Sequence, residues 1–252
     1  MQEGWSESWR TLRGVARSLR IYYGDRSRRA AMARLYRQFV QPGDLVFDIG
    51  AHVGDRIRVF RRFGARVVAV EPQPALVKTL KLIYGRDRAV AIEPVAVGRR
   101  AAMLDFRLNV DNPTVSTASD AFRQAANGAP GWEGQAWTRT IRVPATTLDA
   151  LFSRYGMPAF IKIDVEGSEA EALAGLTRPP PALSFEFTTI QRGVAADCIE
   201  LCTRLGYTRY NAMLGESHAL VHGDWVSAEE IASWLRALPQ SANSGDIYAL
   251  LP

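Results

Sequence analysis

Between residues 44 and 187 the chain alternates short, almost wholly apolar runs with amphipathic stretches. In order these are LVFDI (45–49), a helical pattern over 53–63, RVVAVE (66–71), a helix over 74–84, AVAIEPVAV (89–97), AFIKID (159–164), a helix over 168–176 and ALSFEF (182–187). Strands apolar on both faces need helices on both sides, and βαβ crossovers supply them, so the rhythm predicts an α/β fold with a mostly parallel sheet. At 252 residues and 47% apolar side chains, the chain can bury a large core without disulfide or metal staples. Cys198 and Cys202 lie four apart in a predicted helix with no second Cys or His pair to complete a zinc site, and read as buried thiols.

The net charge of +5 is unevenly placed. Residues 1–40 carry nine Arg against Glu3, Glu7 and Asp25, a net +6, and the remaining 212 residues carry −1. This argues against a general nucleic-acid surface and assigns the excess to an arm, residues 1–43, preceding a domain over 44–252. In the arm, Trp5, Trp9, Leu12, Ala16, Leu19 and Tyr23 recur at steps of four and three, with Arg10, Arg13, Arg17 and Arg20 on another face. That pattern predicts a helix docked by its apolar stripe with a solvated Arg face; contact with an anionic substrate portion or an anionic membrane surface are the alternatives. Tyr22 and Tyr23, at the break before a second helix over 28–40 that Ser27 would cap, are placed to reach the cofactor pocket. No apolar run approaches the length of a membrane span, and residues 1–20 lack the continuous apolar region of a secretory signal, so a cytoplasmic protein is expected. A homo-oligomer is left open.

The stretch 99–146 interrupts the βα rhythm with two strand-like pieces around a Gly-, Asn- and Ser-rich middle, and reads as a lid or substrate loop. Its Trp132 and Trp137 either plug the core, the reading preferred here, or face a ligand. Beyond residue 190 follow a helix over 194–205, strand pieces YTRYNAML and HALVHG, a helix over 227–237 and a last strand DIYALL.

Chemistry concentrates at VFDIGAHVGD, the junction of the first strand and helix. Gly50 and Gly54 permit a tight turn and close approach of a ligand to backbone N–H groups, with Ala51 and His52 between them. A dinucleotide fingerprint would place glycine where Asp48 stands. A carboxylate there would repel a pyrophosphate but suits a ligand carrying ammonium and sulfonium charges, such as S-adenosylmethionine. Glu71 ends the second strand before Pro72, where a carboxylate can accept both ribose hydroxyls. Ala96 and Val97, small residues closing the third strand, would leave room for the adenine.

The sequence resembles the FkbM-type S-adenosylmethionine-dependent methyltransferases. The likeness rests on VFDIGAHVGD, AVEPQP, IEPVAVG, TTLDALF and above all FIKIDVEGSE (160–169), in that order, and covers about residues 44–190. It implies a class I methyltransferase, Rossmann-like, with a seven-stranded sheet whose last strand is antiparallel and helices on both faces. It also implies O-methylation of a hydroxyl as the usual reaction, so a sugar or natural-product scaffold is the expected acceptor.

Asp164 and Glu166 fall at the carboxyl end of a central strand, where open α/β sheets place ligands, and point the same way if the strand persists. Glu186 ends the neighbouring strand at a similar height, and Ser168 is the expected cap of the following helix, with Glu169 in its first turn. The structural alternative for the three carboxylates is capping and pairing with Lys162 or a nearby Arg. Functionally, Asp164, Glu166 or Glu186 could take the acceptor's proton, Asp164 could also touch the cofactor, and the three together could hold a Mg²⁺-like ion that acidifies a hydroxyl. The pattern leaves base and ion open. His52 reads as a cofactor-loop residue, and His218 and His222 as surface or satisfied histidines. The rival functions are an NAD-dependent oxidoreductase and a non-catalytic nucleoside-binding regulatory domain.

Overall fold

A computed structural model describes residues 2–252, with side chains from residue 8 onward. Two helices, α1 (Gln2–Gly24) and α2 (Arg26–Tyr36), precede β1 (Leu45–Ile49), α3 (Asp55–Arg62), β2 (Arg66–Val70), α4 (Pro74–Tyr84) and β3 (Val90–Glu93). The chain then forms β4 (Ala96–Val97), β5 (Ala102–Leu108), α5 (Asp120–Ala126), β6 (Arg139–Thr146) and α6 (Leu148–Tyr155). It returns through β7 (Phe160–Ile163), α7 (Glu169–Leu173), β8 (Ala182–Thr188), α8 (Arg192–Arg204), β9 (Arg209–Leu214), α9 (Ala228–Ala237) and β10 (Ser244–Leu250).

Seven strands make one sheet in the order β3-β2-β1-β7-β8-β10-β9. The pairs from β3 to β8 are parallel, and β10 lies antiparallel between β8 and β9, as the resemblance implied. The order reverses at β1 and β7, the switch point beyond whose carboxyl ends open sheets bind ligands. Alternate residues of each strand enter different cores. Phe47, Ile49, Ile161, Ile163 and Phe185 pack with α6, α7, α8 and α9, whereas Val46, Val67, Ala69 and Phe160 pack with α2, α3 and α4. Both faces of β1 and β7 are therefore buried, which is why these strands read as unbroken apolar runs.

Four expectations change. The run 89–97 is two strands: Pro94 has no N–H to donate, and beyond it β4 joins β6 and β5 in a separate three-stranded sheet. The insertion is thus a folded β-hairpin resting on β4 with a small core of its own, in which Trp132 packs edge-on against Phe122 at 5.2 Å. HALVHG forms no strand; its His218 is buried at 6% exposure rather than on the surface. Asp25, not Ser27, caps α2, its side chain accepting the N–H groups of Ser27 and Arg28.

The arm is helical, and only the C-terminal part of its expected apolar stripe docks: Leu19 and Tyr23 pack beside Val15, Val53 and Leu76. Gly14, Val15 and Ser18 are buried, with Val15 against Val53 and Leu76, while Trp9 (61% exposed), Leu12 (57%) and Ala16 face outward. Small residues win the contact because α1 approaches closely: a side chain at Gly14 would meet the carbonyl oxygen of Val110 at 2.8 Å. The side chain of Trp5 lies outside the described residues.

Candidate active site

The turn after β1 is built by its glycines. Gly50 (φ +84°) donates to the carbonyl of Val70 at 2.9 Å, as does Ala51 at 3.0 Å. Any side chain at Gly50 would collide with the carbonyl oxygen of Asp164, because β1 and β7 converge there. Gly54 (φ +83°) is the N-cap of α3, and a Cβ there would lie 2.7 Å from the Tyr84 ring. Between them, His52 takes the left-handed conformation (φ +49°), and its backbone N–H reaches Oε2 of Glu71 at 3.0 Å.

A cavity of about 270 Å³ opens over the carboxyl ends of β1, β2, β7 and β8. Of the residues singled out from sequence, Gly50, His52, Glu71, Pro72, Ala96, Val97, Asp164, Glu166 and Glu186 line it. Asp48, Ala51 and Gly54 stand behind that wall as the buried support of the turn, with Asp48 at 1% exposure and Oδ2 without a protein partner. Burial pushes Asp48 up to about 7 and Glu71 up to about 8. Glu71 also receives the N–H of Gln73, the residue opening α4, at 2.8 Å, so it fixes the turn while facing the cavity.

Asp164 follows β7, and Ile163 is in register with Phe185, which sets Asp164 level with Glu186. The strand does not persist to Glu166. There the backbone turns to φ +53°, Thr117 Oγ1 donates to the Glu166 carbonyl at 2.6 Å, and the turn itself brings the carboxylate back toward Asp164. One carboxylate oxygen from each of Asp164, Glu166 and Glu186 lies within 4.8 Å of the others. Ser168 makes no capping bond; Glu169, 3% exposed, instead accepts the N–H groups of Val165 (3.0 Å) and Gly167 (3.1 and 3.2 Å) and shapes the loop.

The three carboxylates differ in surroundings. Lys162, wholly buried in an apolar strand, places Nζ 3.1 Å from Asp164 and 2.7 Å from Asp246 on β10, and Arg56 lies 3.8 Å from Asp164. Burial would raise Asp164, but Lys162 and Arg56 together hold it below the ordinary carboxylate range. Glu166 and Glu186 are driven well above that range by burial and by the charge of Asp164. Glu166 is 7% exposed, and among the described residues no group donates to its carboxylate.

Several site residues escape sequence reasoning. Arg56 on α3 joins Asp55, Asp164 and Glu216, and Arg28 joins Asp55 (3.1 Å) and Glu216 (2.7 Å), so the arm reaches the site through ions. Nothing local marks Arg56 among many surface Arg, whereas Lys162 and Asp246 are each a charge inside an apolar strand, a legible signal of a buried pair. Tyr22 lines the cavity, edge-on to His52 at 5.1 Å, while Tyr23 turns behind the glycine turn to donate to Val53 O and pair with Tyr84. Burial lowers His52 to about 4, so it is neutral at pH 7. Trp132 serves both of its expected roles, packing the insertion core and lining the cavity, with Nε1 buried and without a protein acceptor.

A sheet of this order with its glycine turn, acidic strand end and cavity at the switch point defines a class I methyltransferase fold. Residues 48–239 match the family model described as the methyltransferase FkbM domain, and the chain belongs to that family, as an S-adenosylmethionine-dependent methyltransferase. The sequence comparison found no match to a curated protein. Similar solved structures include a TehB-like SAM-dependent methyltransferase from Corynebacterium glutamicum, at 14% identity and TM-score 0.46, covering 99% of this chain and 97% of that one. Another is precorrin-6y C5,15-methyltransferase from Geobacter metallireducens, at 13% identity and TM-score 0.43, covering 89% and 87%. Aeropyrum pernix fibrillarin in complex with S-adenosyl-L-methionine aligns at 12% identity and TM-score 0.45, covering 84% and 68%.

The residues present fit this cofactor. The turn at Gly50 leaves backbone open to a close ligand, Glu71 presents a carboxylate to the cavity, and small side chains at Ala96 and Val97 leave space. The acidic floor complements a cationic ligand. A pyrophosphate would face those carboxyl groups with Arg56, already paired with Asp164 and Glu216, as the cation lining the cavity.

Proposed function

We propose that the chain methylates a hydroxyl of a small molecule, a sugar or natural-product scaffold, at the acidic floor of the cavity. The observation that carries this reading is Glu166, a buried carboxyl group that receives no hydrogen bond from the described residues, facing the cavity beside Asp164 and Glu186. S-adenosylmethionine supplies an electrophilic methyl group whose carbon–sulfur bond breaks as the new carbon–oxygen bond forms. The acceptor O–H must then lose a proton, and a carboxylate within reach receives it. Asp164, held ionised by Lys162 and Arg56, is a weak base and serves to position; Glu166 and Glu186, raised in pKa, are the stronger bases, and the positive charge of the bound cofactor would favour release of the protons that burial otherwise leaves on them.

A second reading of the same residues has support of its own. Three carboxylate oxygens within 4.8 Å of one another are close enough to converge on one divalent ion such as Mg²⁺, which would relieve the mutual repulsion of the cluster and hold an acceptor oxygen. One experiment tests both: mass-spectrometric screening of sugars, glycolipids and polyketide-like alcohols for a one-methyl gain, with and without EDTA. Product from an alcohol, lost in Asp164→Asn and Glu166→Gln, supports O-methylation. EDTA sensitivity reversed by Mg²⁺ selects the ion, and indifference to EDTA selects the carboxylate base. No product from any alcohol with intact cofactor binding contradicts the proposal.

A further inference from the structure

The charge of the molecule divides by layer more sharply than by arm and body. Residues 1–88, which form α1 to α4 with β1 and β2, hold 18 Arg and Lys against 8 Asp and Glu, a net +10; residues 89–252 hold 13 against 18, a net −5. Helices α2, α3 and α4 cover one face of the sheet, and α1 packs on the start of α4, so the basic excess lies on one side of the molecule. Several of that side's acidic groups are out of reach: Asp48, Asp55 and Glu71 are buried, and Asp87 is paired with Arg61 at 2.7 Å.

The same side carries most of the large apolar groups that folding leaves in water among the described residues, the others being Met103, Met157 and Val221. Trp9 (61% exposed) and Leu12 (57%) project from α1, and Leu82 (87%) and Ile83 (41%) from α4, the helix on which α1 packs. Arg13, Arg17 and Arg20 flank the first pair, and Lys78, Lys81 and Arg86 the second, all exposed. A lone exposed leucine means nothing, but apolar groups ringed by unburied cations on two adjacent helices repeat the layout of an interfacial helix. The apolar groups enter the acyl boundary, and the cations meet anionic headgroups at its rim.

We propose that the α1–α4 face docks peripherally on a bilayer containing anionic lipids, with Trp9, Leu12 and Leu82 inserted. Charge complementarity selects this occupant over a second copy of the chain, since the basic face would repel itself. The exposed Trp and Leu select it over a nucleic acid, which the cations alone would also attract. No described helix is long and apolar enough to cross a membrane, so attachment is at the surface and reversible. Each cation near an anionic surface is worth roughly a fivefold gain in partitioning, and the gain fades as salt shortens the screening length.

The test is sedimentation of the full chain with phosphatidylcholine vesicles, with and without about one-third phosphatidylglycerol, at low and raised salt. Binding is expected to the anionic vesicles and to fall with salt. It should weaken about fivefold for each of Arg20→Gln and Lys81→Gln, and further for Trp9→Ala with Leu12→Ala. All four positions lie outside the cavity lining, so an unchanged melting shift with S-adenosylhomocysteine shows the variants folded and the cofactor site intact. Absence of binding to anionic vesicles overturns the proposal. So does binding that survives the Trp9/Leu12 double variant together with equal affinity for single-stranded RNA at the same salt, which would make the face a polyanion surface.

Discussion

Lys162 shows how one residue can join stability to the site. Its ammonium, buried in β7, neutralises Asp164 at the cavity and Asp246 on β10, so it ties the parallel half of the sheet to its antiparallel strand. Lys162→Met removes one partner of a buried network and leaves two carboxylates uncompensated, a loss expected to cost about 3–5 kcal/mol in urea unfolding. Gly50→Ala should lose cofactor binding as well as stability: the left-handed backbone costs about 1–2 kcal/mol, and the methyl group must push Asp164 away. A calorimetric titration with S-adenosylhomocysteine beside a thermal melt checks both. A pH effect follows from Asp48, Glu71 and Glu169, raised to about 7, about 8 and about 7, each chiefly by burial. Because their folded pKa values exceed the unfolded ones, the folded chain keeps protons that the unfolded chain releases, and stability falls as pH rises toward about 8. His52 and His218, lowered to about 4 by burial, contribute an opposing rise from about pH 4 to about pH 7.5, most of it below pH 6.5. The cofactor-free protein should therefore melt lower at pH 8 than at pH 6.5, and Glu71→Gln should flatten that slope. At this scale the sequence was legible wherever a polar residue interrupts an apolar run, as with Asp48, Lys162 and Asp164. It was silent on Arg56 and Glu216, whose meeting depends on how a helix and a distant loop pack.

Among the elements, the strands of the parallel core followed from pattern, because two-sided burial leaves an unmistakable apolar run, while the antiparallel last strand was implied only by the family resemblance. The face by which α1 docks followed only in part. Sequence periodicity finds the most hydrophobic stripe, of which Leu19 and Tyr23 do pack, but the closest contact uses Gly14, Val15 and Ser18, where close approach matters more than apolar area. The split of 89–97 was signalled by Glu93 and Pro94, which break the apolar run, but apolar residues on both sides mask the change of sheet. The arm's structural role can be separated from its chemical one. Tyr23→Phe removes the hydroxyl that bonds Val53 and Tyr84 and should cost about 1 kcal/mol of stability with little effect on binding. Tyr22→Ala opens the cavity wall beside His52 and should weaken ligand binding with a smaller effect on the melt. Paired melts and titrations of the two variants distinguish these outcomes.

For the whole molecule, the sheet's switch point gathers the glycine turn, Glu71 and the three carboxylates into one cavity, while the charge excess lies on the α1–α4 side. Cofactor chemistry and basic charge are therefore separate properties of the chain, joined among the described residues through Arg28 and Arg56. The claim on which all else rests is that this cavity takes a cationic nucleoside cofactor and not a dinucleotide. Isothermal titration of the intact chain with S-adenosylhomocysteine and, separately, with NAD measures it directly. The account predicts one S-adenosylhomocysteine per chain, lost in Gly50→Ala and weakened in Glu71→Gln, and no heat with NAD. Saturable NAD binding without S-adenosylhomocysteine binding would contradict it.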